Sequence, residues 1–436
     1  MMPDNKYVAL DIGSSAITAM AAEVVENNKI KILSVESLAA NVACHGIIEN
    51  PSAASYNVVK LTKLLKNSSK LQVIKHLSVG VNAKSFKNKE VFVTRFVKKE
   101  ITEELLYDMH KEAETKIKGE NVHIYDVIPV SYYLDEEKMD DPVGKTGVQL
   151  RGVYNVVFGN EIINEKIEGV FDRNDIFCTY KPLVIEALSS VLLNDSEREM
   201  GCILLNLGAT TTTIGLYFEG VLQHLLVVPL GGRNVTKDIS ELGISEINAE
   251  KLKCLKGCAL SSEITEPVLI QVKSVDPEEE PKKISTKFLS EVIEARLEEI
   301  LQPLLKLLDN INYPIKAGIV LCGGASKLKI IDKFIEDITG LQVRFGNHNQ
   351  WLEEDQQSLY AETTFSQLIG TIKLTHEYLL VNPPEEVKKK HKKEEKPTRG
   401  IKSYIFDFFS DENSLDEEKN KEQKDKKNQN EENEEK

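Results

Sequence analysis

The sequence predicts an α/β fold built from two related halves, with an α+β subdomain inserted in the first half and a charged tail at the C-terminus. Three segments carry that reading. YVALDIGSSAITAMAAEVV, from Tyr7, is an apolar run, a Gly/Ser turn and a second apolar run, the pattern of a β-hairpin on a buried sheet. CILLNLGATTTTIGLYF, from Cys202, repeats the plan. Aligned, Asp11-Ile12-Gly13-Ser14-Ser15 matches Asn206-Leu207-Gly208-Ala209-Thr210, and Thr18 matches Thr213. AGIVLCGGASKLKIIDKF, from Ala317, runs a strand, Ile319 to Cys322, through Gly323-Gly324 into a helix.

A chain of 436 residues is too long for one core, so several subdomains are expected. The net charge of −14 argues against a nucleic-acid binder. The six cysteines lie scattered in apolar surroundings and form no disulfide framework. Cys254 and Cys258 stand one helical turn apart without a second Cys/His pair nearby, so a reducing cytosol is the simpler reading than a metal site. The N-terminus lacks the long apolar region of a secretory signal, and no run of about 18 apolar residues is present to span a membrane.

The first half takes residues 1–76 and 161–200, and the insert takes 77–160. The insert alternates strand-like and helical patterns, with EELLYDMHKEAETKI as its helix and a turn at Pro142 and Gly144. The second half takes 201–358, and 359–382 is a C-terminal helix returning to the first half. A basic, flexible linker follows at 383–399, then an amphipathic helix at 400–410. The tract 411–436, almost without apolar residues after Leu415, should be disordered.

The two hairpin turns have the composition of phosphate loops. Small residues let backbone N–H groups approach phosphate oxygens, and hydroxyls complete the contacts. Gly13, Ser14 and Ser15 supply both in the first turn; Gly208, Ala209, Thr210 and Thr211 do so in the second. A carboxylate at the head of such a loop, Asp11, would hold waters around Mg²⁺. An ordinary Gly-turned hairpin explains one copy, but two matched copies with the Gly323-Gly324 turn favour a nucleotide lying between the halves. Gly231-Gly232 is either a further close approach or simply the start of a helix. Glu250 and Lys253 share a helix face, and either flank a purine and ribose or form a solvated pair.

DIGSSAIT, NLGATTTT and GIVLCGGASKL, in this order, resemble the two phosphate loops and the adenosine loop of the actin superfamily. Within it, IPVSYYLDEEKMDDPVGKTGVQL, LLVVPLGGRNVTKDIS, AEKLKCLKGCAL and EVIEARLEEIL resemble the FtsA family of bacterial cell-division proteins. The resemblance runs from about Tyr7 to Leu380. It implies an actin-like protein that binds ATP, polymerises, and tethers filaments of the tubulin-like protein FtsZ to the inner membrane at the septum. Later division proteins would join there. It implies that the insert replaces one of actin's subdomains, and that a peptide-binding subdomain occupies about 233–314. Glu250 and Lys253 fall on its purine side, and Gly323, Gly324 and Ala325 in its adenosine loop. Arg296 matches a position that contacts the FtsZ C-terminal peptide, with Lys287 near enough to help. The departure is Asn206, where the superfamily has Asp to order the metal and attacking water. Asn keeps the size and one acceptor but loses the charge, so ATP hydrolysis should be weak or absent, and no catalytic residue is assigned.

Ile401, Tyr404, Ile405, Phe408 and Phe409 fall on one helix face behind a Lys/Arg-rich lead. That arrangement suits an anionic membrane surface, although an acidic tail follows at once. Two other readings use the same fold: an adaptor for another inner-membrane assembly of the pilus type, and a kinase or chaperone-like ATPase. A kinase would need a catalytic acid facing a sugar pocket, and no feature points to one.

Overall fold

The computed structural model describes residues 5–382, apart from 70, 72 and 173–175. The linker, aromatic segment and acidic tail of the sequence reading lie outside the described residues. The chain opens with the hairpin β1 (Lys6–Ile12) and β2 (Ala16–Val24), followed by β3 (Ile30–Ala39). A tight turn joins β4 (Ala43–Cys44) to β5 (Ile47–Ile48), and α1 (Pro51–Ser69) leads to β6 (His76–Val79). The insert holds β7 (Lys87–Phe96), α2 (Glu103–Thr115), β8 (Val122–Leu134), β9 (Glu137–Met139) and β10 (Gln149–Asn160). The first half resumes with α3 (Glu161–Phe171), β11 (Phe177–Tyr180), α4 (Val184–Leu192) and α5 (Asp195–Met200). The second half begins with β12 (Cys202–Leu207), β13 (Thr212–Phe218) and β14 (Val221–Val228), then α6 (Gly232–Ser240) and α7 (Glu246–Lys256). The hairpin of β15 (Leu269–Val272) and β16 (Lys282–Ser285), α8 (Thr286–Asn310), β17 (Ile319–Cys322), α9 (Ile331–Thr339) and β18 (Val343–Phe345) follow. Finally α10 (Ser366–Val381) returns to the first half, against β1 and α4.

The duplication is visible in the sheets. The first has the order β11-β6-β1-β2-β3 and the second β18-β17-β12-β13-β14. In each, three antiparallel strands are extended on the first strand's other side by two parallel ones. The central strands read as unbroken apolar runs because helices cover both faces. Cys202 to Leu205 and Ile319 to Cys322 are fully buried.

One boundary needs correction. The insert was expected from residue 77, but β6 pairs with β1 and β11 in the first sheet. The insert therefore begins after Val79. The period-2 pattern of a strand cannot show which sheet will take it.

The insert has its own core, around Tyr154, Met109 and Leu150. Its four-stranded sheet, β7-β10-β8-β9, also packs on β14, the edge of the second sheet. Asn155, buried at 3% exposure, donates to the carbonyls of Leu222 at 2.8 Å and Gln223 at 3.1 Å. Asn88 donates to Asn155 and to Gln223, and accepts from the Leu225 amide at 3.0 Å. Two side-chain amides thus stand in for a missing strand and blunt an exposed edge. On the other side, burial and the Asp126 carboxyl of β8 hold Glu186 of α4 well above the ordinary carboxyl range.

Asn155→Ala should leave the Leu222 carbonyl without its side-chain donor and Asn88 without its Asn155 acceptor, at a cost of about 1–3 kcal/mol. The expected result is a lower melting midpoint and faster protease cleavage within the insert; wild-type values for both would contradict this docking.

Candidate nucleotide site

The two hairpin turns are built alike. Gly13 N–H donates to the Ala16 carbonyl at 2.9 Å, and Gly208 N–H donates to the Thr211 carbonyl at 2.9 Å. A Cβ on Gly13 would stand 2.9 Å from that Ala16 oxygen, and one on Gly208 would stand 2.8 Å from the Thr211 oxygen. The glycines are therefore needed for the turn itself. Each spends its amide there and leaves the residues that follow to meet a ligand. Register matches too: Asp11 lies opposite Thr18, and Asn206 opposite Thr213.

The turn tips meet across the cleft. Ser14 Oγ and Thr210 Oγ1 are 2.6 Å apart. His45, in the turn between β4 and β5, holds Thr210 twice. Its backbone N–H donates to Thr210 Oγ1 at 3.0 Å, and its Nδ1 lies 2.8 Å from the Thr210 carbonyl oxygen. A carbonyl can only accept, so His45 Nδ1 carries the hydrogen. Asn82 adds a second link between the halves, donating to Thr213 Oγ1 at 2.7 Å.

The remaining residues expected in the site gather around the second loop. Gly232 N–H donates to the Gly208 carbonyl at 3.0 Å, and Arg233 N–H to that of Ala209 at 2.7 Å. Gly231-Gly232 is thus both the start of α6 and a close approach, but the approach is to the loop. Lys253 Nζ donates to the Gly232 carbonyl at 2.9 Å, to Thr236 Oγ1 at 2.8 Å and to Glu250 Oε2 at 2.8 Å. The pair is no free surface pair: it ties α7 to α6. Burial works against the Glu250 carboxylate, but its bonds from Lys253 and Thr236 outweigh burial and hold its pKa below the ordinary value. Ala325 closes the group, its Cβ 3.1 Å from where a Gly232 Cβ would stand. Gly323, at φ +93°, lets the backbone pass against the Asn206 side chain, where any Cβ would collide. Gly324 has open space beside its α-carbon.

Asp11 stands at the head of the first loop and accepts from Gln367 Nε2 of α10 at 2.9 Å. Burial pushes its carboxyl up to about 6, and the Gln367 amide offsets only part of that. A carboxylate so placed fits a divalent cation, which would compensate its charge. Asn206, its counterpart, is neutral.

Arg296 and Lys287 are not on one face. Both lie on α8, half a helical turn out of phase. Arg296 is engaged by Asp238 of α6, with Nη2 at 2.8 Å from Oδ1, and by Glu299. Lys287 is exposed in the first turn. Cys254 is exposed and Cys258 buried beyond the end of α7. Among the described residues no helix is long and apolar enough to cross a membrane.

Two family models match this chain. The one for Cell division protein FtsA matches residues 203–370, and the one for the SHS2 domain inserted in FtsA matches residues 80–158. Together they span more than half of the sequence, the second on the insert itself. The chain belongs to the FtsA family. It is 27% identical to the cell division protein FtsA of Borreliella burgdorferi, over 93% of this chain and 99% of that one. To FtsA of Escherichia coli K12 it is 28% identical, over 78% of this chain and 83% of that one. Among solved structures, a PilM–PilN type IV pilus biogenesis complex has a chain of similar fold, with a TM-score of 0.62 at 16% identity. That match covers 86% of this chain and 99% of that one. MreB5 of Spiroplasma citri bound to ADP gives 0.53 at 13%, over 91% and 100%. The fold is actin-like, and the FtsA family is one of cell division.

The sequence reading missed His45, Asn82 and Gln367. None carries a local signal, apart from the Cys44-His45-Gly46 turn, where His45 and Gly46 both take positive φ.

Asp11 in the folded chain holds a proton up to about pH 6, whereas an ordinary Asp gives it up near 3.8. Ionising it therefore costs stability. That cost is absent below about pH 4 and complete above about pH 6. Asp11→Asn should raise the melting midpoint of nucleotide-free protein at pH 7 and flatten its fall between pH 4 and 6. Superimposable pH profiles for the two proteins would refute the assignment.

Proposed function

We propose that this chain binds ATP with Mg²⁺ between its two halves, polymerises, and tethers FtsZ filaments to the cytoplasmic face of the inner membrane at the septum. The observation that supports the nucleotide most is the meeting of two matched turns, Ser14 against Thr210, between halves of duplicate topology. The triphosphate would take the amides after Gly13 and Gly208, with the hydroxyls of Ser14, Ser15, Thr210 and Thr211. Gly231 and Gly232 would support the second loop from behind. Glu250, Lys253 and Gly323 to Ala325 would flank the nucleoside. Asp11 would hold the waters around Mg²⁺, whose charge would steady the phosphates.

Asn206 sets the second half of the reading. It lies where a second carboxylate would help order metal and water, and it brings no charge. Electrostatics and positioning carry most of phosphoryl-transfer catalysis, so ATP acts here as a conformational ligand with little or no turnover. The FtsZ C-terminal peptide would dock near Arg296, exchanging a peptide carboxylate for Asp238; Lys287, on the opposite side of α8, would lie outside that contact. Ile401, Tyr404, Ile405, Phe408 and Phe409 would bind anionic lipid as a short helix. One such helix of about ten residues is marginal, so attachment strengthens when a filament presents many. Later division proteins would then assemble on the tethered filament. The family match favours this reading over a pilus adaptor, whose likeness is one of fold.

Titration of wild-type and Asn206→Asp protein with Mg²⁺ and ATP, recording binding and phosphate release together, tests the site. Wild type should bind and release almost no phosphate, and the Asp variant should turn over. Equal turnover would show that Asn206 is not what limits the chemistry; absence of binding by both would remove the nucleotide. For the anchor, Phe408→Glu should abolish flotation with anionic vesicles, and unchanged flotation would reject it.

A further inference from the structure

We infer that Gln367 is a positioning residue for the cation that accompanies the nucleotide, acting through Asp11; this rests on the nucleotide reading above. Gln367 is the second residue of α10, and its amide reaches a carboxylate 356 residues away in the sequence. The contact is built on both sides. Gly80, just past β6, leaves room for the amide: a Cβ there would lie 3.1 Å from Gln367 Nε2 and 3.2 Å from Val184. Thr371, one turn further along α10, closes the same spot, its Oγ1 3.6 Å from that Cβ position. Asp11 Oδ1 takes the amide hydrogen, which orients the carboxylate and, among the described residues, leaves Oδ2 for another partner.

The choice of side chain carries the argument. A lysine or arginine at 367 would neutralise Asp11 from within the protein and compete with any cation. A neutral amide orients the carboxylate and leaves its charge uncompensated. Glutamine is thus the donor that fixes geometry while preserving the charge a divalent cation needs. Partners that hold a metal-organising group typically matter by about 10–100-fold in metal affinity. The helix carrying Gln367 is also the last one described before the linker, so cation occupancy and the start of that helix share one hydrogen bond.

The test uses the full chain and a non-hydrolysable ATP analogue, with affinity measured by calorimetry in EDTA and across a Mg²⁺ titration. Gln367→Met, close in length but without a donor, should keep the EDTA affinity within about twofold and raise the Mg²⁺ midpoint by about tenfold. Gln367→Lys should bind the analogue with little response to Mg²⁺. Asp11→Ala with Gln367→Met should be no worse than Asp11→Ala alone, because the residue acts through Asp11. An unchanged Mg²⁺ midpoint in Gln367→Met, or a further loss in the double variant, would overturn the inference while leaving the nucleotide reading intact. If Gln367→Met fails to fold, a normal Mg²⁺ response in Gln367→Lys overturns it instead. Wild type that binds no analogue in either condition would remove both.

Discussion

The architecture turns on one contact, the pair of hydroxyls of Ser14 and Thr210 at 2.6 Å. Two hairpins that share sequence pattern, register and turn geometry come from different halves of the chain, and their tips touch. His45 fixes one of the two by gripping both the hydroxyl and the carbonyl of Thr210. Thr210 is buried at 4% exposure, so its polar atoms have to be satisfied within the protein. The hydrogen bonds of this cluster therefore link the two halves at the loop tips. A phosphate bound between the tips, as proposed, would replace the Ser14–Thr210 bond with bonds to its own oxygens.

The insert adds a second constraint. It belongs by chain connection to the first half, yet it caps the edge strand of the second through Asn88 and Asn155. An exposed β14 would offer an unpaired edge to other chains. The side-chain amides of the insert occupy part of that edge instead. Relative motion of the halves then has to bend the insert or strip those carbonyls of their donors, which raises the cost of opening the cleft.

The matched loops differ in one respect that matters electrically. Asp11 is a buried carboxyl pushed up to about 6, and Asn206 is an amide of the same shape. With Asn206 the paired loops carry one such carboxyl, which accepts a hydrogen bond from Gln367. On the proposed reading, such a site would hold a nucleotide without activating a water.

By itself the sequence determined the pieces that are local. The Gly-Ser-Ser and Gly-Ala-Thr turns, the apolar runs around them and the strand-Gly-Gly turn at Gly323 were legible because turn chemistry and strand periodicity act within a few residues. The insert motifs pointed to the family for the same reason. What the tertiary structure decided is which pieces meet. It assigned β6 to the first sheet, turned Glu250 and Lys253 into a clamp on Gly232, and placed Arg296 and Lys287 on opposite sides of α8. It also brought His45 to Thr210 and Gln367 to Asp11 across 165 and 356 residues. No local pattern encodes such contacts, because a side chain's partner across that distance is set by how whole sheets and helices pack.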